Sequence, residues 1–336
     1  IGIGMSLAIA VTVLAGRTSA AADGGAPLSG ASPSGASHVP PSKPKLSFVV
    51  LADPHDKVDS WKNALAMIRD GKTNEHPAFA RAELLLVAGD MTPVAARHEE
   101  FLQAFPDAGT RPIFLPVVGN HDGGASLQHI RDVLIPAIPN VVRRQAASCD
   151  YYVDHGNIRI IGVAGAVINE EGRKWIEQAV KTAPASVDHI FVMCHHPAFP
   201  RGRRVGQSLD RDPAQRDAFW RMLLDNRDRV RAVFSGHTHS YSRLRVLDPA
   251  GAAANDPKTN PDEEGGLCQI IAGSTGMGRR NTLVQVQVEG ANVLVRVWEA
   301  DNGSNMPFAA RDEWSIGPGA TGGASNTVGR SVEHSK

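Results

Sequence analysis

Five short polar clusters in this 336-residue chain hold residue types that bind metal ions. They are Asp53-Pro54-His55, Gly89-Asp90, Gly119-Asn120-His121-Asp122, His195-His196-Pro197 and Gly236-His237-Thr238-His239. Asp, Asn and His offer oxygen and nitrogen lone pairs suited to divalent transition metals. Two residues spaced i, i+2 where the chain turns off a strand, as in Asp53/His55 and His237/His239, can both reach one ion. Seven candidate ligands are more than a single tetrahedral ion needs, and the number suits two ions sharing one carboxylate. Glycine precedes Asp90, Asn120 and His237, as a tight turn or a close backbone approach at a strand end would require. Any one cluster has an ordinary explanation, such as a capping Asp beside a surface His. All five in order, each directly after an apolar run, are not explained that way.

Those runs are the elements that must position the clusters. Leu46–Ala52, Leu84–Ala88, Ile113–Val118, Ile158–Ala164, Ile190–Cys194 and Val230–Phe234 are short and nearly all apolar, as strands covered on both faces are. Helical patterns fall between them over 59–70, 94–104, 125–135, 170–182 and 213–228. The alternation predicts an α/β fold with helices over a sheet. In such sheets, ligands collect outside the carboxyl ends of the strands, which is where the clusters lie. Farther on, Cys268–Ala272, Thr282–Val288 and Asn292–Trp298 have no helices between them. Val284, Val286 and Val288 alternate with Gln285 and Gln287, predicting a half-exposed strand. Gly290-Ala291 predicts a hairpin turn. A second sheet packed on the first would account for both halves.

The five clusters resemble the five blocks of the calcineurin-like metallophosphoesterase superfamily, over about residues 46–300. The resemblance implies a four-layer α/β/β/α sandwich of two mixed sheets and hydrolysis of phosphate esters. It assigns one metal to Asp53, His55, Asp90 and His239, and the other to Asp90, Asn120, His195 and His237, with Asp90 bridging. His195 is chosen over His196 because it stands two positions before the proline, which leaves His196 beside the ligands. Purple acid phosphatases, one branch of the superfamily, carry a tyrosine ligand three residues after the Gly-Asp aspartate. Pro93 stands there in this chain, and Tyr241 is not at the ligand position, so an iron–tyrosinate colour is not expected.

Two ions, whether iron, manganese or zinc, can clamp a phosphoryl group and lower the pKa of a water between them for attack on phosphorus. The departing oxygen then needs a proton. His121, beside the ligand Asn120, is placed to give it, and the resemblance supports this role. Asp122 is expected to orient the His121 ring. Arginine binds phosphate bidentately. Arg201, Arg203 and Arg204, Arg243, and Arg279-Arg280 all follow these clusters or a Gly-rich turn, with Arg201 and Arg243 the leading candidates for substrate binding. His98 is a weaker candidate for the rim.

Charge and composition narrow the alternatives. Thirty-five basic residues balance 35 acidic ones and 42% of the chain is hydrophobic, so neither a nucleic-acid-binding protein nor a disordered chain is expected. Met5–Gly16 is apolar and Thr18–Ala22 is small, predicting a signal peptide over 1–22 and an exported protein. The apolar run is too short to span a bilayer, so no stable membrane anchor is expected. Residues 23–44 read as a flexible linker, 45–315 as one folded domain and 316–336 as a disordered tail. Cys149 and Cys268 are a candidate disulfide, while Cys194 ends an apolar run and reads as a buried thiol. The competing reading is an inactive metal-binding interaction module on the same scaffold. A metallo-β-lactamase is disfavoured because Ser240-Tyr241 follows Gly-His-Thr-His, which breaks the His-x-His-x-Asp-His pattern. Expected partners are phosphate esters, small or exposed on larger molecules.

Overall fold

The computed structural model describes residues 45–71, 79–253 and 266–317. The signal peptide and linker expected before residue 45, and the tail after 317, lie outside the described residues. In chain order the elements are β1 (Lys45–Leu51), α1 (Val58–Asp70), β2 (Leu84–Val87), α2 (Val94–Ala104), β3 (Ile113–Pro116) and α3 (Ala125–His129). The helical path continues beyond α3 through wider and tighter turns to Ala137. Next come β4 (Val142–Arg143), β5 (Tyr151–His155), β6 (Ile158–Val163), α4 (Glu170–Lys181), β7 (His189–Cys194), α5 (Pro213–Leu224) and β8 (Val230–Ser235). Then follow β9 (Tyr241–Val246), α6 (Pro249–Ala253), β10 (Leu267–Ala272), β11 (Arg280–Glu289), β12 (Asn292–Asp301) and β13 (Ala309–Ile316). Side-chain caps start the two long helices of the second half. Asn169 Oδ1 accepts from Gly172 N at α4, and Asp212 accepts from Gln215 N at α5, where Pro213 occupies the first turn.

Two mixed sheets result. One runs β13-β12-β11-β1-β2-β3 and the other β4-β5-β6-β7-β8-β10-β9. β1, β2 and β3 are parallel, as are β6, β7, β8 and β10. The inner faces meet through aromatic rings. Phe48 of β1 packs edge-on against Phe191 of β7 at 5.1 Å and Phe234 of β8 at 6.0 Å. The outer face of the second sheet, with Ile161, Val192 and Val233, packs on Ile176 of α4 and on Phe219 and Trp220 of α5. On the other side, α1 and α2 add Trp61, Leu65 and Phe101 to the core of the first sheet. The layers are α/β/β/α.

The sheets are not divided as halves of the chain. The C-terminal strands form no sheet of their own: β10 inserts between β8 and β9, whereas β11–β13 extend the first sheet from β1. β11 is also not half-exposed. Gln285 and Gln287 are buried, and they hydrogen bond instead of facing water. Gln285 Nε2 donates to Ala80 O at 3.0 Å, and Gln287 accepts from Arg296. The alternation marks polar groups that are satisfied internally. The β11–β12 turn at Gly290-Ala291 is the expected tight hairpin, with Glu289 paired to Asn292 and Gly290 at φ 59°.

β4, β5, β9 and β13 escaped the sequence reading. They are edge strands or lie next to one, and their polar residues blur any apolar run. β9 and β13 meet across the sandwich. Asp312 of β13 accepts from Tyr241 Oη at 2.7 Å and pairs with Arg243 Nε at 2.9 Å, while the Arg243 guanidinium stacks on Trp314 at 4.4 Å. The three cysteines are free and buried, so the candidate Cys149–Cys268 bridge does not form. Cys268 pairs with Arg245 within the second sheet, which places it in the core and not beside Cys149 at the loop before β5. No helix among the described residues is long and apolar enough to cross a membrane.

Asp312→Ala removes the acceptor shared by Tyr241 and Arg243. Urea unfolding is expected to show a loss of about 2 kcal/mol with bound metal unchanged. Unaltered stability would mean that the β9–β13 contact holds nothing.

Candidate metal centre

The carboxyl ends of β1, β2 and β3 deliver Asp53, Asp90 and Asn120. Those of β7 and β8 deliver His195 and His237. Backbone hydrogen bonds knit neighbouring turns together: Asp53 N donates to Gly89 O, His55 N to Asp90 O and Gly236 N to His195 O, at 2.9–3.1 Å. Two further bonds cross from one sheet to the other. His237 N donates to Asp53 Oδ2 at 2.9 Å, and His195 Nδ1 meets Ala88 O at 2.8 Å. A carbonyl can only accept, so Nδ1 of His195 carries hydrogen and Nε2 is left as the ligating nitrogen.

The packing at these turns leaves no room to spare. A Cβ on Gly119 would stand 2.1 Å from Asp90 Oδ1, and one on Gly236 2.5 Å from Asp53 Oδ2. The backbone also bends against its preference. Asp53, His55, Asp90, His237 and His239 have φ between 45° and 69°, a region that costs a non-glycine residue roughly 1 kcal/mol or more. Strain gathered on five of the seven candidate ligands indicates that their positions are held for function.

Their donor atoms converge. Asp53, His55 and His239 each present one ligand atom within 4.8 Å of the others, as do Asp53, Asp90 and His195. His239 Nε2 lies 3.5 Å from Asp53 Oδ1, and His55 Nε2 lies 3.5 Å from Asp90 Oδ2. His195 Nε2 faces Asp90 Oδ2 at 3.2 Å and Asn120 Oδ1 at 3.0 Å. Lone pairs facing lone pairs repel unless a proton or a metal stands between them. Asp53 Oδ1, His55 Nε2 and His237 Nε2 are buried and have no hydrogen-bond partner. Unsatisfied buried acceptors around one space are what cations satisfy, so the donor set fits a dinuclear centre.

The proton affinities agree with that electron-rich space. Burial lowers the pKa of His55, and burial followed by the positive charges of His195 and Arg204 lowers that of His237 to about 4. Both rings are neutral and keep a lone pair to give. Burial disfavours ionised Asp90, but its hydrogen bond to His195 and the charge of that ring hold the carboxyl well below the usual range. Burial also opposes charge on His195, while Asp90 and Asp53 raise its proton affinity.

Other predicted residues separate into those at the centre and those away from it. His121 is exposed at the mouth. Its backbone N–H donates to Asp90 Oδ1 at 2.8 Å, and its ring lies 4.9 Å from that of His55. His196 packs its ring 4.4 Å from that of His237 and places a nitrogen within 4.8 Å of those of His195 and His237. Burial, then the neighbouring His195 charge, lowers its pKa to about 3. Arg204 stands close enough for its charge to act on His237. Arg201 is half-buried and Arg203 exposed in the same loop.

Two roles are corrected. Asp122 does not orient the His121 ring: it is buried and its Oδ2 accepts from Gly119 N at 2.9 Å, closing the turn that presents Asn120. That burial pushes its pKa up to about 6. Arg243 lies in the β9–β13 contact, engaged with Asp312 and Trp314, so it is not a phosphate ligand. Arg280 pairs with Asp301. His98 meets His129 at 3.3 Å and packs near Phe101 and Phe114 between α2 and α3. Ser274 was missed. Its hydroxyl donates to Asp53 O at 3.1 Å and accepts from Met277 N, so it holds the Asp53 turn from the Gly-rich segment after β10. The glycines of that segment were its sequence signal.

Two sheets bearing carboxylates and imidazoles at their adjoining strand ends define a metallophosphoesterase centre. Residues 46–241 match the calcineurin-like phosphoesterase family, and the chain belongs to it. Among solved structures, it is similar to a purple acid phosphatase from yellow lupin (Lupinus luteus) seeds, with 14% identity and a TM-score of 0.59. That match covers 82% of this chain and 54% of the lupin protein, so the chain spans about half of the latter's length. PhoD is similar at 10% identity and a TM-score of 0.54, covering 83% of this chain and 71% of PhoD. GAP50, the anchor in the inner membrane complex of Plasmodium, is similar at 12% identity and a TM-score of 0.51, covering 79% and 88%. At these identities the likeness is one of fold. No curated protein sequence matches the chain.

Gly119→Ala drives a methyl group into Asp90, the one carboxylate shared by both halves of the centre. Elemental analysis is expected to find fewer metal ions than in the wild type in a protein that still folds by circular dichroism. Equal metal content would contradict the role given to Asp90.

Proposed function

We propose that the protein is a metal-dependent phosphoric ester hydrolase. The observation that carries this reading is the convergence of Asp53, His55, Asp90, Asn120, His195, His237 and His239 around buried, unpartnered lone pairs. Asp53, His55 and His239 would hold one ion, Asn120, His195 and His237 the other, with Asp90 shared. The mixed nitrogen and oxygen donors suit iron, manganese or zinc. When bound, two such ions supply Lewis acidity toward a phosphoryl oxygen and make a water nucleophilic near neutral pH.

The protein's own groups do the rest. Asp53 and Asp90 stay ionised through the backbone N–H groups of His237 and His121. The Nδ1–H bond of His195 to Ala88 O fixes that ring's orientation. His121 is tethered by its backbone while its imidazole stays in contact with solvent at the mouth, where a leaving oxygen departs. It is the group that gives that oxygen a proton. Asp122 keeps the Gly119 turn closed beneath it. The apolar Met5–Gly16 run supports export of the hydrolase.

The protein loaded with Mn²⁺, or with iron and zinc, is assayed on p-nitrophenyl phosphate and bis-p-nitrophenyl phosphate, with metal analysis on the same preparation. Two ions per chain and hydrolysis of at least one ester are expected, with chelation abolishing turnover. Two ions and no hydrolysis would favour the metal-binding interaction module instead. His121→Ala is expected to keep both ions and to slow an alkyl phosphate about 100-fold, with a smaller effect on nitrophenyl esters, whose leaving group needs no proton. Equal slowing of both substrates would remove the acid role.

A further inference from the structure

The loop between β7 and α5 begins at the metal centre and is built to be rigid. Its root is anchored by Gln269 of β10, whose buried side-chain oxygen accepts from Ala198 N and Phe199 N, both at 2.9 Å. The Gln269 amide returns a bond to Phe199 O at 2.9 Å. Leu209 N donates to Pro197 O at 3.1 Å and closes the loop at its base. Within it, Asp210 accepts from Gly206 N and Ser208 N, at 2.6 and 3.0 Å. Gln207 N and Ser208 Oγ both donate to Arg204 O, at 3.0 and 3.3 Å. Arg204 itself has φ 69°, the left-handed region that its side chain disfavours. These contacts hold one residue in a strained conformation.

The side chain they hold is an arginine beside His237. Among the described residues, the one acceptor for its guanidinium is Gln207 Oε1, which takes Nη1 at 3.1 Å. Its Nε is buried and has no partner. Arg243 and Arg280, by contrast, are engaged with carboxylates. A fixed guanidinium with unused donors, facing a centre for phosphate esters, lacks an anion.

We propose that Arg204 grips the phosphoryl group of the substrate and makes the site favour phosphate monoesters over diesters. This rests on the hydrolase reading above. A monoester presents terminal oxygens carrying up to two negative charges, whereas a diester carries one, so a neighbouring cation attracts the monoester about twice as strongly. The planar fork also takes two oxygens at once, and the monoester has more of them to spare.

Arg204→Gln and Arg204→Lys are compared with wild type on p-nitrophenyl phosphate and bis-p-nitrophenyl phosphate, after metal content and thermal unfolding have been matched. Arg204→Gln is expected to lower kcat/KM for the monoester at least about ten-fold and for the diester by less than about three-fold. Arg204→Lys, which keeps the charge and loses the fork, falls between, and it carries the test if the Gln variant does not fold. Titration of the metal-loaded proteins with inorganic phosphate is expected to give a Kd raised about ten-fold in Arg204→Gln. Equal losses on both esters, or an unchanged phosphate Kd, would overturn the proposal. If wild type hydrolyses neither ester, the hydrolase reading fails, and the phosphate titration alone decides for or against Arg204.

Discussion

The structure turns on two hydrogen bonds that cross between the sheets, from His237 N to Asp53 Oδ2 and from His195 Nδ1 to Ala88 O. Carboxylates and neutral imidazoles repel one another when their lone pairs are crowded into one buried space. Each crossing bond uses one face of a ligand and leaves the opposite face pointing into the centre. The bonds therefore set both the spacing of the two strand-end groups and the orientation of the donors. Everything else near the centre accommodates them: the left-handed turns at Asp53, Asp90 and His237, and the bare glycines at 119 and 236 against which the carboxylates lie.

Such strain persists only where the surroundings are stiff. Beneath the centre, Phe48, Phe191 and Phe234 interlock the inner faces of the sheets. Farther out, Asp312, Tyr241, Arg243 and Trp314 join the edge strands β9 and β13. Helices α4 and α5 cover one outer face. The apolar layers fix the distance between the sheets, and the polar strand ends then meet at a separation too short for side chains alone to fill favourably. Cations are the natural occupants of that space.

The arginines show how position outweighs residue type. Arg243 follows the Gly-His-Thr-His cluster closely in sequence, yet strand pairing carries it to the sandwich edge, where it finds a carboxylate and an indole. Arg204 lies farther from any ligand along the chain, yet the closed loop rooted on Gln269 returns it to His237. Net neutrality of the whole chain hides this local arrangement, because the charges that matter are few and most others are paired at the surface.

Much of the centre was legible in residue type and spacing. Metal-binding chemistry demands particular side chains, and placing them at strand ends demands an apolar run before each, so Asp53, His55, Asp90, Asn120, His195, His237 and His239 stand out without any structure. The order of strands and helices likewise follows from local apolar periodicity, and so does the β11–β12 hairpin. Sheet membership did not follow: β10 and β11 are neighbours in sequence and join different sheets, because pairing depends on contacts between distant segments. The burial of Gln285, the free thiols at Cys149 and Cys268, the turn-closing bond of Asp122 and the engagement of Arg243 share that cause. Each depends on a partner from another part of the chain. Side-chain type and local pattern thus determined which chemistry the chain can perform. Only tertiary packing decided which polar groups remain unpaired and able to perform it, because a hydrogen-bond partner brought from afar leaves no mark in the spacing of nearby residues.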